Sequence, residues 1–312
     1  MSRIARDYTW LVGRTPLVEL GALSPRGGGR IVAKLEALSP SHSNKDRAVL
    51  AMADHAERSG YLKPGGTVVE PSSGDTGLAL AMLGARRGYR VVLVLPEGTP
   101  ATRLQLLRTL GAEIVQTEAS QGMPGAMARA EQIVKQTPDA IMLQPFTNRA
   151  NARAHEATAR EIWDDTDGQV GLVVCPVGTG GTAAGCLTFF RNLRAAVRVV
   201  AVEPARCAVL SGGPTGQHSI PGIGAGFVPQ ILNAGDLSEV LTVRDEDAWA
   251  AVRACAAREG ILIGPASGAV LHGAMELAAR AENKGVLVVA ILPDSGERFA
   301  EHPGLCSEGR PA

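Results

Sequence analysis

The sequence predicts an α/β protein in which parallel strands alternate with helices. Short runs of Val, Ile and Leu recur along its 312 residues, and longer segments with helical periodicity separate them. Glycine, serine and proline bound most of these apolar runs. Continuous apolar strands between turn residues are typical of parallel sheets that carry helices on both faces.

The individual elements follow from these patterns. The predicted strands share a continuous apolar centre, and they are 30–36, 66–71, 89–96, 112–117, 171–177, 197–204 and 285–294. The predicted helices carry apolar residues at helical spacing, and they are 46–59, 76–87, 102–110, 124–136, 151–163, 182–195, 246–258 and 267–282. Two segments, 68–96 and 172–204, each run strand, small-residue loop, helix and strand. Open α/β sheets bind ligands at such loops, so we expect both loops to face one cleft.

Composition and charge argue against several classes of function. The 31 basic residues balance the 31 acidic residues without a long run of either sign, which argues against a general attraction to nucleic acid or anionic membranes. No apolar run reaches the length of a membrane span, and the N-terminus lacks the apolar core of a signal peptide. The five cysteines show neither CxxC nor zinc-type spacing. The sequence therefore predicts no metal site and a reduced, cytoplasmic protein.

The loop PVGTGGTAAG has the strongest signature of a ligand site. Gly178, Gly180 and Gly181 let the backbone approach a ligand closely. Their N–H groups and the start of the next helix can surround an anion, and Thr179 and Thr182 add hydroxyl donors. A phosphate is the favoured ligand, and a plain glycine turn between strand and helix is the alternative.

The same loop also satisfies the relaxed fingerprint of a dinucleotide site. Gly178, Gly180 and Ala183 have the required spacing, and Glu203 ends the next strand. An acid at that place would bind a ribose hydroxyl. A nicotinamide-dependent oxidoreductase that uses NAD therefore stays an alternative.

The loop EPSSGDTG carries an unusual density of small polar groups. Ser72, Ser73, Gly74 and Thr76 offer hydroxyl and backbone donors at another helix start, which suits a carboxylate. Helix capping explains one or two of these residues without a ligand. A third loop, PASGAV, has Ser267 at a helix start, where a cap is again the simpler interpretation.

Seven short segments follow one another in a characteristic order: GRTPLVEL, KLEALSPSHSNKDR, EPSSGDTG, GTGGT, GIGAGFVP, PASGA and LPDSGERF. In this order they resemble the cysteine synthase and cystathionine β-synthase family of pyridoxal-phosphate enzymes of fold type II. The resemblance runs from about residue 11 to residue 299, nearly the whole chain. Each segment alone is a weak signal, and the seven together are highly specific.

The resemblance implies a role for each loop. Lys45 would form the Schiff base with pyridoxal 5′-phosphate, and Ser267 would contact the pyridine nitrogen. Such a serine, unlike a carboxylate, does not enforce protonation of that nitrogen. The other implied cofactor-binding residues are Asp75, Gly178, Thr179, Gly180, Gly181 and Thr182. The implied substrate-binding residues are Ser72, Ser73, Gly74, Thr76, Gln144 and Gly222.

The implied reaction is β-replacement on an activated L-serine, either O-acetylserine or O-phosphoserine, through an aminoacrylate. Lys45 would remove the α-proton with an amine whose pKa is lowered by burial and neighbouring positive charge. Sulfide would then give L-cysteine. Formation of cystathionine, S-sulfocysteine or diaminopropionate, a serine or threonine dehydratase, and a catalytically silent regulatory homologue stay open.

Asp75 departs from the family's pattern, which has asparagine at this place. In the family that amide donates toward the phenolic oxygen of the cofactor, and two anions there would repel each other unless one held a proton. We hypothesise that Asp75 shares such a proton, in which case Asp75→Asn moves the pH dependence of the cofactor's absorption. In the alternative, Asp75 turns away and caps the helix that follows.

The resemblance also implies two three-layer αβα domains with mostly parallel sheets, similar to the β subunit of tryptophan synthase. We expect a smaller domain at 37–148, which holds the carboxylate loop. We expect a larger domain formed by 1–36 and 149–312, which holds the phosphate loop. A homodimer is the family's usual state.

Overall fold

The computed structural model describes residues 4–72 and 74–306. In chain order the helices are α1 (Lys45–Arg58), α2 (Asp75–Arg87), α3 (Ala101–Thr109), α4 (Gly122–Gln136), α5 (Arg149–Asp165), α6 (Gly181–Leu193), α7 (Asp245–Glu259) and α8 (Pro265–Ala279). The strands are β1 (Leu17–Glu19), β2 (Arg30–Leu35), β3 (Thr67–Pro71), β4 (Arg90–Pro96), β5 (Glu113–Thr117), β6 (Val170–Pro176), β7 (Arg198–Pro204), β8 (Glu239–Val243) and β9 (Leu287–Leu292). Each predicted helix and strand overlaps one of these elements.

Contacts between residues divide the chain into two compact units. Unit 1 is formed by the chain up to Val12 and by Lys45–Asn151. Unit 2 is formed by Gly13–Asn44 and by the chain from Ala152 onward. The chain therefore passes from unit 2 to unit 1 at the peptide bond between Asn44 and Lys45. The domain limits expected from the resemblance stay a prediction.

Unit 1 is built on a three-stranded parallel sheet in the order β3-β4-β5. Alternate residues of a strand point to opposite faces of its sheet. On one face Val68, Val91 and Leu93 pack with α1 and α2. On the other face Val69 and Val92 pack with α4. Both faces are buried, which explains why β4 is continuously apolar and why Val68 and Val69, on opposite faces of β3, are both apolar.

Unit 2 is built on a six-stranded sheet in the order β1-β2-β9-β6-β7-β8. β1 runs antiparallel to β2, and the other pairs are parallel. Leu172 and Val174 of β6 pack with α7 and α8, whereas Val173 and Cys175 pack with α5 and α6. The sheet is thus the middle of three layers. The predicted α/β class with mostly parallel, helix-covered sheets is confirmed.

Two strands, β1 and β8, are missing from the sequence-based prediction. β1 spans three residues, and Glu239 and Thr242 interrupt the apolar pattern of β8. Strands this short or interrupted give a weak periodic signal. β1 and β8 are the edge strands of the six-stranded sheet, so each of them pairs with one strand of that sheet and not with two.

The longest helix described, α5, has 17 residues. In the described ranges no helix combines the length and the apolarity that a bilayer span requires. The cysteines are free thiols, with Cys306 exposed and the other four buried.

Candidate active site

The glycine loop between β6 and α6 leaves no room for side chains at its centre. β6 ends at Pro176, and α6 begins at Gly181 after Gly180, whose φ of 84° lies in the left-handed region. A Cβ atom at Gly178 would overlap the carbonyl oxygen of Gly222, which itself has a φ of 97°. Glycine is the residue that fits such positions at low cost.

This loop has the geometry of an anion site. The first turn of α6 presents backbone N–H groups that have no partner within the helix, and the helix dipole favours negative charge at this end. Gly181 and Thr182 are buried in that turn, and Thr179 is partly exposed. A phosphate at the loop would therefore meet backbone donors and hydroxyl groups.

A chain of buried polar side chains starts at Thr182. Its Oγ1 accepts a hydrogen bond from Nδ2 of Asn44 at 3.1 Å. The same oxygen lies 3.5 Å from Nε2 of His155, and Nδ1 of His155 lies 3.1 Å from Oγ1 of Thr158. All four residues are buried. An amide and an imidazole together fix the orientation of the threonine hydroxyl.

Lys45 is the first residue of α1 and is partly buried. It follows Asn44, whose N–H donates to the carbonyl oxygen of Pro293 at 3.0 Å and whose amide donates to Thr182. His42 is exposed and has a φ of 57°. Asn44, the residue immediately before Lys45, is therefore hydrogen-bonded to the glycine loop.

Ser267 lies fully buried in the first turn of α8. Its Oγ donates to Oδ1 of Asp294 at 2.6 Å, and its N–H donates to the same oxygen at 2.8 Å. The N–H of Ala266 donates to Oδ2 of Asp294 at 3.3 Å. Asp294 thus caps α8 with a buried carboxyl group. A Cβ atom at Gly222 would lie 3.6 Å from Cβ of Ala266, so the start of α8 lies close to the segment that packs on the glycine loop.

The loop between β3 and α2 is organised around side chains. Oγ of Ser72 accepts a hydrogen bond from the N–H of Gly77 at 3.0 Å, which satisfies a donor at the start of α2. Thr76 is buried, whereas Gly74 is exposed and has open space where a Cβ atom would stand. Ser73, a predicted substrate-binding residue, lies outside the described residues.

Asp75 is the first residue of α2 and has a positively charged partner. Its Oδ1 lies 3.7 Å from a guanidinium nitrogen, Nη1, of Arg103 in α3, and both side chains are 15% exposed. The sequence-based hypothesis about Asp75 did not include this countercharge. An anion that approached Asp75 would meet an ion pair.

Glu70 in β3 is a buried carboxyl group that the sequence analysis did not select. Its Oε2 accepts a hydrogen bond from the N–H of Leu143 at 3.0 Å. Burial raises the pKa of Glu70 to about 7, and backbone hydrogen bonds from Leu143 and Gln144 oppose that rise. Gln144 is exposed and has a φ of 54°. Glu70 therefore anchors the backbone at Gln144, a predicted substrate-binding residue.

The carboxylate oxygens of Glu203 accept hydrogen bonds from nearby residues of the same chain. They accept hydrogen bonds from the N–H groups of Leu210 at 2.8 Å and Ser211 at 2.9 Å, and from Oγ of Ser211 at 2.6 Å. A buried carboxylate with three such donors has little capacity left for a ribose. This geometry disfavours the dinucleotide interpretation.

Comparison with known proteins gives the family. Residues 9–294 match the family described as pyridoxal-phosphate dependent enzyme. The chain belongs to this family. It is similar to a probable cysteine synthase of Bacillus subtilis strain 168, with 41% identity over 304 residues that cover 96% of this chain and 97% of the relative.

Solved structures of the family agree with this assignment. The crystal structure of a cysteine synthase from Entamoeba histolytica has a TM-score of 0.95 and 38% identity, and the match covers 99% of this chain and 93% of that chain. An O-ureido-L-serine synthase has a TM-score of 0.93 and 34% identity, with 98% of each chain covered. The predicted family, fold type and cofactor are confirmed, and the chain is a pyridoxal-phosphate-dependent enzyme. The oxidoreductase alternative has no support in these similarities.

The structure groups most of the predicted site residues within each unit. In unit 2 the glycine loop, Gly222 and the start of α8 are neighbours. In unit 1 Ser72 and Gly74 lie between β3 and α2, and Thr76 lies in the first turn of α2. Gln144 is linked to β3 through Glu70. Several polar residues that form hydrogen bonds or ion pairs with the predicted site residues or their neighbours were not predicted from the sequence. They are Glu70, Arg103, His155 and Asp294. An acid within an apolar strand or beside a buried helix start is the signal that identifies Glu70 and Asp294.

Proposed function

We propose that this enzyme adds a nucleophile to the β-carbon of an activated L-serine, and that with sulfide it forms L-cysteine. O-acetylserine and O-phosphoserine are the proposed donors. The similarity to cysteine synthases over nearly the whole chain supports this reaction. The observation that carries the proposal is the hydrogen bond from Asn44 to Thr182. It ties the residue before Lys45 to the glycine loop, as expected if lysine and loop hold opposite ends of one cofactor.

The residues of unit 2 fit pyridoxal phosphate. A phosphate needs several hydrogen-bond donors that it can approach closely, and the start of α6 offers backbone N–H groups beside glycine and threonine residues. We assign the phosphate to the loop residues Gly178, Thr179, Gly180, Gly181 and Thr182. We assign the ring nitrogen to the buried hydroxyl of Ser267. When bound, the cofactor would supply the electron sink for the reaction.

Lys45 is the proposed catalytic residue. Its amine would hold the aldehyde of the cofactor in the resting enzyme and would take the α-proton of the substrate after release. The hydrogen bonds of Asn44 restrict the backbone from which this side chain extends. A base held this way reaches the α-carbon with little loss of conformational freedom.

The substrate carboxylate is assigned to the loop before α2. Backbone and hydroxyl donors at a helix N-terminus suit a carboxylate, and Thr76 lies in the first turn of α2. The assigned residues are Ser72, Ser73, Gly74, Thr76, Gln144 and Gly222. Asp75 is assigned to the phenolic oxygen of the cofactor, where Arg103 would balance its charge.

A second candidate is the same β-replacement with a different nucleophile. The structurally similar O-ureido-L-serine synthase makes a different compound, as its name states. The Asp75–Arg103 ion pair is the observation in this chain that favours such a change, because it is a charged feature where the family pattern has a neutral amide. Formation of cystathionine, S-sulfocysteine or diaminopropionate belongs to this candidate.

We also propose that the enzyme is a cytoplasmic homodimer that acts on small molecules and has no nucleic-acid or membrane partner. The balance of 31 basic and 31 acidic residues supports the absence of a general polyanion partner. The free thiols of the described cysteines support a reducing compartment.

The test is an assay of purified enzyme with O-acetylserine or O-phosphoserine and sulfide. We expect L-cysteine with at least one donor. Lys45→Ala should lose activity by several orders of magnitude, whereas Lys63→Ala should keep it, because Lys63 is an exposed lysine paired with Asp139. Product analysis with alternative nucleophiles decides between the two candidates. Pyruvate as the sole product would contradict both.

Borohydride reduction gives an independent test of the cofactor assignment. Mass spectrometry of the reduced, digested protein should find a pyridoxyl group on the peptide that contains Lys45. A pyridoxyl group on another lysine, or on none, would remove the basis for the proposed reaction.

A further inference from the structure

Four buried polar side chains of unit 2 form a row that ends at the hydroxyl group of Thr182. Nδ2 of Asn44 donates to Oγ1 of Thr182 at 3.1 Å. The same oxygen lies 3.5 Å from Nε2 of His155, whose Nδ1 lies 3.1 Å from Oγ1 of Thr158. None of the four residues is more than 5% exposed. In a buried row of this kind a mispaired donor or acceptor is costly, so the protons have few permitted arrangements.

Asn44 limits the hydrogen bonds that Thr182 can form. The nitrogen of a side-chain amide only donates, so Asn44 takes one of the two lone pairs of the hydroxyl oxygen. One lone pair and the hydroxyl proton remain. Whether Thr182 can still donate that proton to a ligand therefore depends on the ring of His155.

The two neutral tautomers of His155 leave Thr182 with opposite hydrogen-bonding capacities. A neutral imidazole carries its proton on one ring nitrogen and accepts at the other. With the proton on Nδ1, the ring donates to Thr158, and Nε2 takes the hydroxyl proton of Thr182. With the proton on Nε2, the ring donates to Thr182 and accepts from Thr158. Both lone pairs of Thr182 are then filled, and its proton is left for another acceptor.

A phosphate group discriminates between these two arrangements. The oxygens of a phosphate dianion are strong acceptors and have no proton to donate. Thr182 therefore makes a favourable hydrogen bond to such an anion only as the donor. A hydrogen bond from a hydroxyl group to an anionic oxygen is about twice as strong as a neutral one. Phosphate binding thus favours the tautomer of His155 that carries its proton on Nε2.

We propose that Asn44 and His155 are positioning residues that make the hydroxyl group of Thr182 a donor to the phosphate of the cofactor, with the proton of His155 on Nε2. The proposal rests on the assignment of that phosphate to the glycine loop made for the proposed function. Asn44 fills one lone pair of the hydroxyl oxygen, and His155 fills the other. Thr158 donates to Nδ1 of His155 and so holds the ring in this tautomer.

The arrangement agrees with the backbone around Thr182. This residue lies in the first turn of α6, where backbone N–H groups also face an incoming anion. A hydroxyl group that presented a lone pair there would repel the anion that the N–H groups attract. With both lone pairs filled from within the protein, the hydroxyl and the N–H groups act in the same direction. Preorganisation of this kind lowers the cost of binding.

Nitrogen NMR of the holoenzyme measures the tautomer directly. Holoenzyme labelled with ¹⁵N in the rings of its six histidines gives correlations between ring nitrogens and ring C–H protons. These correlations distinguish the two neutral tautomers from the imidazolium ion. The signal of His155 is the one that is absent from His155→Gln or His155→Leu. We expect a proton on Nε2 alone, and either a proton on Nδ1 alone or an imidazolium ion would overturn the proposal.

The affinities of the apoenzyme for pyridoxal phosphate and for pyridoxal test the action on the phosphate. The ratio of the two affinities isolates the contribution of the phosphate group. His155→Leu should lower this ratio about tenfold, the usual effect of one lost hydrogen bond. His155→Gln should restore most of it, because its terminal amide can donate in place of the Nε2–H group. Asn44→Leu should lower the ratio less, because Thr182 keeps its proton and loses only a donor that polarises the hydroxyl group.

Thr166→Val is the matched control. Thr166 is another buried threonine of unit 2, and its Oγ1 donates to the carbonyl oxygen of Ile162 at 2.8 Å. Its substitution removes a buried hydrogen bond and some stability and should leave the affinity ratio unchanged. If His155→Leu and Asn44→Leu weakened pyridoxal and pyridoxal phosphate equally, the role of both residues would be purely structural and the proposal would be wrong.

The outcomes separate this proposal from the proposed function. A holoenzyme that carries the cofactor on Lys45 while the proton of His155 lies on Nδ1 overturns the proposal and leaves the reaction standing. An affinity ratio that Thr182→Val does not change also overturns it, because the hydroxyl group would then not meet the phosphate. A protein that binds no pyridoxal phosphate overturns the proposed function itself.

Discussion

The junctions β6–α6 and β3–α2 follow the same plan in sequence and are held by different forces. At β6–α6 the backbone packs on backbone, since Gly178 lies against the carbonyl oxygen of Gly222. At β3–α2 carboxyl groups hold the structure. Glu70 accepts backbone hydrogen bonds near Gln144, and Asp75 pairs with Arg103. We call β6–α6, which depends on close packing, the packed junction, and we call β3–α2, which depends on an ion pair and on hydrogen bonds to carboxyl groups, the charged junction.

This difference indicates how the interactions that stabilise a loop can suit the ligand that the loop binds. A loop packed backbone against backbone holds its shape without carboxyl groups, and it suits a phosphate that stays bound through many turnovers. A loop held by carboxyl groups responds to protonation and to the charge of what approaches. It suits a substrate that binds and leaves. The assigned phosphate and carboxylate sites follow this division.

Gly178→Ala should have the largest effect on the packed junction. The new Cβ atom would overlap a backbone oxygen, which cannot rotate away. We expect a loss of about 3 kcal/mol in the free energy of unfolding, at the upper end of the usual cost of overpacking. Bound pyridoxal phosphate should be lost as well. Urea denaturation and the visible absorption of the purified protein measure the two effects.

Gly74→Ala is the matched control for stability at the charged junction. A Cβ atom at Gly74 would have nothing within 4 Å, and its φ of −101° suits any residue. We expect the free energy of unfolding to change by less than about 0.5 kcal/mol. Equal destabilisation by the two substitutions would contradict the distinction between the junctions.

Glu70→Gln should remove a pH dependence from the charged junction. Burial raises the pKa of Glu70 from 4.5 to about 7. The folded state therefore holds this proton more tightly than the unfolded state, and its stabilising effect is complete below pH 4.5 and lost as the pH rises through about 7. A shift of this size corresponds to roughly 3 kcal/mol, because one pKa unit is about 1.4 kcal/mol. The neutral glutamine should abolish that decline, which urea denaturation at a series of pH values would detect.

The same experiment contains its own control. Below pH 4.5 the wild-type side chain is neutral, so the two proteins should have similar stability there. The variant should gain stability relative to wild type only as the pH rises. A wild-type profile that shows no decline between those limits would be evidence against a buried, proton-holding Glu70.

His155→Leu should have a moderate effect on the packed junction. It removes the imidazole that lies between the hydroxyl groups of Thr182 and Thr158. We expect a loss of about 1 to 2 kcal/mol in unfolding free energy, because buried hydroxyl groups lose a partner. The ³¹P resonance of the bound cofactor should shift if Thr182 contacts the phosphate. Thr158→Val, which alters only the far end of the chain, should leave that resonance nearer to its wild-type position.

The Asp75–Arg103 pair should contribute the smallest stabilisation. Its atoms are 3.7 Å apart, beyond the range of a strong hydrogen bond. A double-mutant cycle with Asp75→Asn and Arg103→Met should give a coupling energy of about 1 kcal/mol or less. The pH dependence of the cofactor's visible absorption should nevertheless move in Asp75→Asn if Asp75 faces the phenolic oxygen. An unchanged pH profile would contradict that assignment.

The sequence was sufficient for most of the fold because both sheets are buried on two faces. Runs such as those at 89–96 and 197–204 can remain apolar only in a strand with helices on both sides, and the helices between them keep their spacing. The edge strands β1 and β8 were not predicted, because edge strands are buried less and carry polar residues. Helix ends shifted where caps came from distant residues, as Asp294 does for α8.

The residues of the assigned site also divide into those that a sequence pattern identifies and those that it does not. The glycine loop could be selected because its residue types and spacing are themselves the chemical signal, whereas Lys45 was selected through the resemblance of the seven ordered segments. Arg103 and His155 could not, because each acts on a partner that is far away in the chain. An isolated arginine or histidine in a helix has no local pattern that distinguishes a partner from solvent. Such pairings exist only once the helices have packed.

The position of β9 has a consequence for how the protein is made. β9 is the last of the described strands in chain order, yet it lies between β2 and β6 in the six-stranded sheet. Its pairing with β2 joins Arg30 to Leu287, and its other edge pairs with β6. Until Leu287–Leu292 leave the ribosome, β2 and β6 each keep an open edge, and open edges promote aggregation. The residues of unit 1 are synthesised well before that moment. A nascent chain that stalled before Leu287 would therefore contain all of unit 1, whereas the strands of the six-stranded sheet would remain as two separate parts, β1-β2 and β6-β7-β8.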